Sequence, residues 1–343
     1  WDVSSVINMQ QMFYKHEVFN QPIGDWDVSN VTSMSAMFNG ATAFNQPIGD
    51  WDVSNVTSIG NMFQSATAFN QNISNWQFNT NVNFNDTVLV SNNNVKRILL
   101  EDYTGHECGN CPQAAELAEQ LYTSYPNHIS LLAVHAGHFA EPDAFNPLFA
   151  LDLTTEDGDL YDNEFGNSAK GNPNGMINRT QYAVGNYVVK PAQWTTIIDS
   201  LAGSSSNSPS ISFDLTSIYN TESRVIRLLS TLTINKDLPT NYNLISFFYE
   251  SGILGNHKKY DGGQTLILEN YEFNHVLRKA IPTSWGKDLI TGGASINEVI
   301  EDEIAFTIPE TWSDDNVGVI LCLFERTTKE VLQTVEVKHI KKP

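Results

Sequence analysis

Four tryptophans, Trp1, Trp26, Trp51 and Trp76, recur every 25 residues, and the text between them nearly repeats itself. WDVSNVTSMSAMFNGATAFNQPIGD is followed by WDVSNVTSIGNMFQSATAFNQNISN. Apolar residues keep equivalent places, as in Val3/Val28/Val53, Val6/Val31/Val56, Met12/Met37/Met62, Phe13/Phe38/Phe63, Phe19/Phe44/Phe69 and Ile23/Ile48/Ile73. A unit this short cannot bury those side chains alone, but stacked copies can, like on like. The repeats therefore predict a solenoid over residues 1–88. The recurring amides Asn20/Asn45/Asn70 and Gln21/Gln46/Gln71 are expected to satisfy backbone groups at its turns. Because the first copy opens at Trp1, further repeats are expected upstream.

The Asn-rich stretch from 77 to 94 reads as the end of the repeats plus a linker. Residues 95–103 then read as a buried strand, residues 112–125 as an amphipathic helix, and residues 128–135 as a second buried strand. That order predicts a parallel pair joined by a helical crossover. GNPNGMINRTQYAVGNYVV follows as a hairpin and PAQWTTIIDSLAG as a closing helix ended by Gly203. SSSNSP at 204–209 is a linker by composition. Beyond it, runs such as ISFDLTSIY, RVIRLLSTLTI, YNLISFFYE, EIAFTI, VGVILCLFE and VLQTVEV predict an antiparallel β-sandwich. Three units are expected, at 1–88, 89–203 and 209–343.

Charge narrows the function. With 19 basic and 39 acidic residues the chain carries a formal charge of −20. Nucleic acid and anionic lipid both demand clustered Lys and Arg, so neither is an expected partner. Through residue 88, Asp2, Glu17, Asp25, Asp27, Asp50, Asp52 and Asp86 face a single base, Lys15. A protein partner steered by charge should therefore be basic. No apolar run approaches the length of a membrane span. Any export signal or outer-membrane anchor is expected upstream of Trp1.

Of three cysteines, Cys108 and Cys111 form a C-x-x-C between the predicted strand and helix. A helix N-terminus stabilises a thiolate, so Cys108 is the expected attacking sulfur and Cys111, one turn in, the sheltered resolving one. The other readings are a static disulfide, or zinc held with two of His106, His135 and His138. Cys322, within VGVILCLFE, reads as a small buried hydrophobe. EDGDLYDNE at 156–164 lacks the spacing of a calcium loop and reads as a solvated helix start. Sequons at Asn30, Asn55, Asn72, Asn85 and Asn178 read as structural. There is no G-x-S-x-G, Walker loop, H-E-x-x-H or dinucleotide fingerprint, and no cofactor is expected.

Three resemblances bear on these motifs. The W-D-V-S-N-V-T and A-F-N-Q-P-I blocks resemble the BspA-like, leucine-rich-repeat-like repeats of bacterial surface proteins. That likeness implies an exported protein with a solenoid used for display or binding. The CGNC region resembles thioredoxin-like proteins. There the resemblance implies that Asp102, six residues before Cys108, assists proton transfer to the resolving cysteine. It also implies that Pro173 is a cis-proline lying against the active disulfide. This sequence departs from that pattern at Glu107, Pro112 and the inner Gly-Asn. Over about 95–343, LLEDYTGHECGNCP, AVHAGHFA, NPNGMINR and YEFNHVLRKA resemble the twenty-eight-kilodalton outer-membrane protein family. That family implies a thioredoxin-like domain joined to an immunoglobulin-like sandwich, at the cell surface or outer membrane. Two functions stand open at this point. One is thiol–disulfide exchange on protein thiols through Cys108, Cys111, Asp102 and Pro173; the other is non-enzymatic surface binding or adhesion with a structural disulfide.

Overall fold

The computed structural model describes residues 1–340 except 61, 64, 65, 67, 70, 72–75, 77–85, 92–94, 127, 204–207 and 222, and only the backbone of 86–91. Most of the Asn-rich linker, most of the 204–209 linker, and Asn70, Asn72, Ile73 and Asn85 lie outside the described residues.

In the repeats, like side chains meet at one-repeat intervals. Phe13, Phe38 and Phe63 stack with centroids 5.6 and 5.7 Å apart, and Trp26, Trp51 and Trp76 at 6.4 and 6.2 Å. Gln46 and Gln71 each donate through Nε2 to Oδ1 of Asn20 and Asn45, at 2.8 Å in both cases. Within a copy, Asp27 Oδ1 accepts from the Ser29 backbone N–H at 3.1 Å and closes an Asx turn, as Asp2 and Asp52 do in theirs. Between copies, the N–H groups of Met9, Gln11 and Phe13 donate to the Ser33, Ser35 and Met37 carbonyls at 2.8, 2.9 and 2.8 Å. Successive copies pair through isolated parallel bridges, Asn8 to Ser33 and Ser33 to Ser58, and the described residues from 1 to 76 contain no helix and no strand longer than a bridge.

In chain order the strands are β1 (Asp86–Ser91), β2 (Ile98–Thr104), β3 (Ile129–His135), β4 (Asn174–Ile177), β5 (Ile211–Asn220), β6 (Val225–Ile234) and β7 (Tyr242–Glu250). They continue as β8 (Ile253–Asp261), β9 (Gln264–Phe273), β10 (Val276–Ile281), β11 (Lys287–Ile290), β12 (Val299–Thr307), β13 (Val317–Glu325) and β14 (Val331–Val337). The α-helices are α1 (Cys111–Ser124), α2 (Glu156–Phe165) and α3 (Pro191–Ala202).

One sheet runs β1-β5-β6-β12, and a second, of eight strands, runs β14-β13-β7-β10-β3-β2-β4 with β11 beside β7. Between the sheets lie Ile211, Phe213, Leu228, Leu244, Phe248, Leu321 and Val335. Side chains alternate in β7, so Ile245, Phe247 and Tyr249 enter a second core on the opposite face with Tyr161 and Phe165 of α2. Likewise Ile98 and Leu100 of β2 face α1 and α3, where Trp194 is fully buried, while Leu99 and Tyr103 face α2.

The expected fold class, a leucine-rich-repeat-like solenoid followed by an α/β thioredoxin-like domain and an all-β immunoglobulin-like sandwich, does not hold. The described structure is mostly β-sheet with few helices. The reason lies at a sheet edge. β2, β3 and β4 alone would leave the edge of β3 unpaired, an open template for pairing. β10 takes that edge in parallel, at Val276 opposite Ala133, and itself pairs with β7. Strands before and after residue 204 therefore share one sheet and its cores.

A buried ion pair pins this arrangement. Arg179, just after β4, donates through Nε and Nη2 to the two carboxylate oxygens of Glu101 at 2.9 and 2.7 Å. Both side chains are fully buried, and the guanidinium faces the rings of Tyr161, Phe165, Phe247 and Trp285. Asp157, expected on a solvated helix start, is also buried: it accepts from the Ala280 N–H at 2.9 Å and Ser284 Oγ at 2.6 Å. Cys322 is free and buried, as read from its apolar run.

Candidate functional site

β2 carries Asp102 and ends at Thr104, and the loop that follows bears Cys108. Cys108 and Cys111 are joined as a disulfide with their Cα atoms 5.3 Å apart. The helix begins at Cys111, with Pro112 in its first turn and Asn110 capping it without a side-chain bond. Cys111 rather than Cys108 is thus the residue at the helix start, and Cys108 lies in the turn before it. Cys108 is 4% exposed and Cys111 0%.

The cover over this disulfide comes from far along the chain. β8 and β9 form a two-stranded hairpin of their own. Along its outer edge the Lys258 N–H donates to the His106 carbonyl at 2.8 Å, and the Tyr260 N–H to the Gly109 carbonyl at 2.7 Å. Gln113 Nε2 donates to the Tyr260 carbonyl at 3.3 Å, and Lys258 Nζ pairs with Glu107 at 3.0 Å. A Cβ on Gly109 would come within 2.4 Å of the Tyr260 ring, so glycine lets the hairpin close.

The Asn172–Pro173 peptide bond is cis. The last β2–β4 pair is Tyr103 opposite Asn174, which places Pro173 one residue further, opposite the point where the cysteine loop leaves the sheet. Asp102 pairs in register with Ala133 and Gly175, is 2% exposed, and leaves Oδ1 without a hydrogen-bond partner. Burial pushes its carboxyl up to about 7. It lines a cleft of about 380 Å³ between α1 and the hairpin, together with Pro112, which adjoins Cys111.

Three histidines are buried near the loop. His135, at the end of β3, is held down to about 3 and His257, on β8, to about 4, in both cases chiefly by burial; burial also lowers His106. His257 and His135 pack on the Phe273 ring at 5.4 and 5.5 Å, and His106 on Phe149 at 5.6 Å. His138 is exposed. The zinc alternative finds no support, since the two sulfurs are bonded to each other and no metal-holding cluster is found among the described residues. Sequence reading missed the hairpin cover. Its one local signal was the turn Asp261-Gly262-Gly263-Gln264 between two strands, a hairpin signature.

Fold and site together define a mostly β-sheet protein with a disulfide sheltered beneath its own hairpin. The family model described as outer membrane protein Omp28 matches residues 159–342, more than half of the sequence, and the chain belongs to that family. Residues 1–99 match a second model, described as Mycoplasma protein of unknown function, DUF285. Family membership supports a cell-surface or outer-membrane location. No described helix is long and apolar enough to cross a membrane. No curated protein sequence matches the chain.

Among solved structures, HBP35 of Porphyromonas gingivalis is similar at 13% identity, over 72% of this chain and 76% of that one, with a TM-score of 0.49. A protein from Agrobacterium tumefaciens is similar at 10% identity, over 71% and 94%, with a TM-score of 0.42. A domain of the outer membrane lipoprotein Omp28 from Porphyromonas gingivalis follows at 15% identity, over 39% and 92%, with a TM-score of 0.26. All three scores fall below 0.5, too low to carry fold or function across.

Proposed function

We propose that this is an exported surface-binding protein in which Cys108–Cys111 is a structural disulfide. The observation that supports this reading is the cover: Cys111 is fully buried, Cys108 nearly so, and β8 is hydrogen-bonded across the loop between them. Thiol–disulfide exchange needs in-line attack on a sulfur, and an incoming thiolate would first have to displace the hairpin. The acidic repeat stack is the surface offered to a basic protein partner. The test is reduction of the folded protein by a thiol at neutral pH. Slow reduction, and a Cys108→Ala/Cys111→Ala double variant that keeps cell-surface or partner binding, supports the reading. Rapid reduction together with catalysed reduction of insulin overturns it.

Asp102 favours a second reading, thiol–disulfide exchange. In the dithiol form, the Cys108 thiolate would attack a partner disulfide, forming a mixed disulfide and expelling one partner thiolate. Asp102 would take the Cys111 proton, and the Cys111 thiolate would attack Cys108 sulfur. That step re-forms Cys108–Cys111 and releases the second partner thiol, so two electrons pass to the partner. A buried, unpartnered carboxyl near neutrality suits that proton transfer. Pro173 would border the partner groove. The catalysed insulin assay, repeated with Asp102→Asn, decides between the readings.

A further inference from the structure

We propose that the cleft between α1 and the β8–β9 hairpin is a binding site for a primary ammonium group on an unbranched alkyl stem. In its lining stands Asp102, nine-tenths buried or more, whose Oδ1 has no hydrogen-bond partner among the described residues. A buried carboxyl oxygen without a partner is a cost to the fold, and a cationic donor is the group that relieves it most. Higher up, Glu116 and Glu119 of α1 face Glu272 of β9 across the same cleft. Glu116 and Glu272 have no ion-pair partner among the described residues. Glu119 lies 3.5 Å from His275 Nδ1, a ring that burial keeps neutral down to about 3.

Against these carboxylates the lining supplies one cation, Lys259, while Lys338 acts on Glu119 from outside the lining. The net field therefore favours a positive ligand. The walls explain the stem. Ala115, Ala118, Leu131, Ala133 and Leu268 offer small or aliphatic surface of the kind that methylenes cover. The shared chemistry could arrive as a free alkylamine or as a lysine side chain of a protein partner. The site shares Asp102 with the thiol–disulfide reading but requires no exchange at the disulfide.

The test is titration of the full chain, followed by nuclear magnetic resonance, with 1,5-diaminopentane, with the peptide acetyl-Gly-Gly-Lys-Gly-Gly-amide, and with pentanol as an uncharged control. The expected result is saturable binding of an ammonium probe in the millimolar range, as befits so small a ligand. It should weaken about fivefold in Glu116→Gln/Glu272→Gln and about tenfold in Asp102→Asn, with pentanol at least tenfold weaker. Saturable binding of the diamine assigns a free amine; binding of the peptide alone assigns a lysine side chain. No saturable binding by either ammonium probe overturns the proposal, as does pentanol binding equally well. The surface pair Glu116→Gln/Glu272→Gln keeps the test decisive if Asp102→Asn does not fold: affinity unchanged in that pair also overturns it.

Discussion

The backbone N–H of Tyr260 donates at 2.7 Å to the carbonyl of Gly109, which lies between the two cysteines of the C-x-x-C loop and 151 residues earlier in the chain. A substitution at either end should therefore be read out at the sulfurs. Gly109→Ala would drive a Cβ to within 2.4 Å of the Tyr260 ring, at a ring atom close to the backbone, so the hairpin must shift. Overpacking of this kind costs about 1–3 kcal/mol. The expected outcome is at least a tenfold faster reduction of Cys108–Cys111 by dithiothreitol in the folded protein, followed as thiol release. An unchanged rate would mean that the hairpin does not limit access.

The Glu101–Arg179 pair gives a sharper stability test. Arg179→Met leaves a carboxylate buried with no counter-charge among aromatic rings, and losing one partner of such a pair costs about 3–5 kcal/mol. Glu101→Gln combined with Arg179→Met should recover more than half of that loss, because no unpaired charge remains. Urea midpoints of the single and double variants check both statements.

The repeat stack sandwiches one tryptophan between two others. Trp51 is 4% exposed, lies between the rings of Trp26 and Trp76, and donates through Nε1 to the Ile23 carbonyl at 3.1 Å. Trp51→Ala should cost about 3–5 kcal/mol, read from urea midpoints. Because the copies contact chiefly their neighbours, the loss should appear as faster hydrogen exchange in residues 26–76, with the sheets unaffected.

Local order was legible where it rests on short-range pattern. The spacing of Phe13, Phe38 and Phe63 marked them as stacking partners, and the period of Ala114, Ala118 and Leu121 placed a helix within one residue of Cys111–Ser124. What was not legible depends on pairings between distant segments. Nothing local in β3 says that β10 will take its edge, and nothing in HECGNCP says that β8 will lie across it. One clue was present. A sandwich strand that faces water on one side alternates, yet YNLISFFYE and VGVILCLFE are apolar on both faces, and β7 and β13 are in fact covered on both. That pattern argued for a shared, doubly covered sheet over a separate sandwich. Likewise, the repeats announced their register but not their backbone, because a turn such as Met12 N–H to the Met9 carbonyl follows each bridge and stops it growing into a strand.

The buried titratable groups around the site predict an uneven pH dependence. His135, His257 and His275 titrate at about 3, 4 and 3 when folded, against about 6.5 unfolded. Each contributes stability that is complete above pH ~6.5 and is lost on acidification, the three together by about 5 kcal/mol between pH 6.5 and 5. Asp102 acts in the opposite sense. Its folded value of about 7 lies above that of an unfolded carboxyl, so its contribution is complete below pH ~4 and is lost as pH rises through 7. Over the same acid step it offsets about 2 kcal/mol, so these four groups should lower the free energy of unfolding by about 3 kcal/mol from pH 6.5 to 5. In Asp102→Asn the opposing contribution is gone, so the same acid step should deepen by about 2 kcal/mol. In His135→Gln it should shrink by about 2 kcal/mol. Urea denaturation at the two pH values, on the wild type and both variants, tests the signs as well as the sizes.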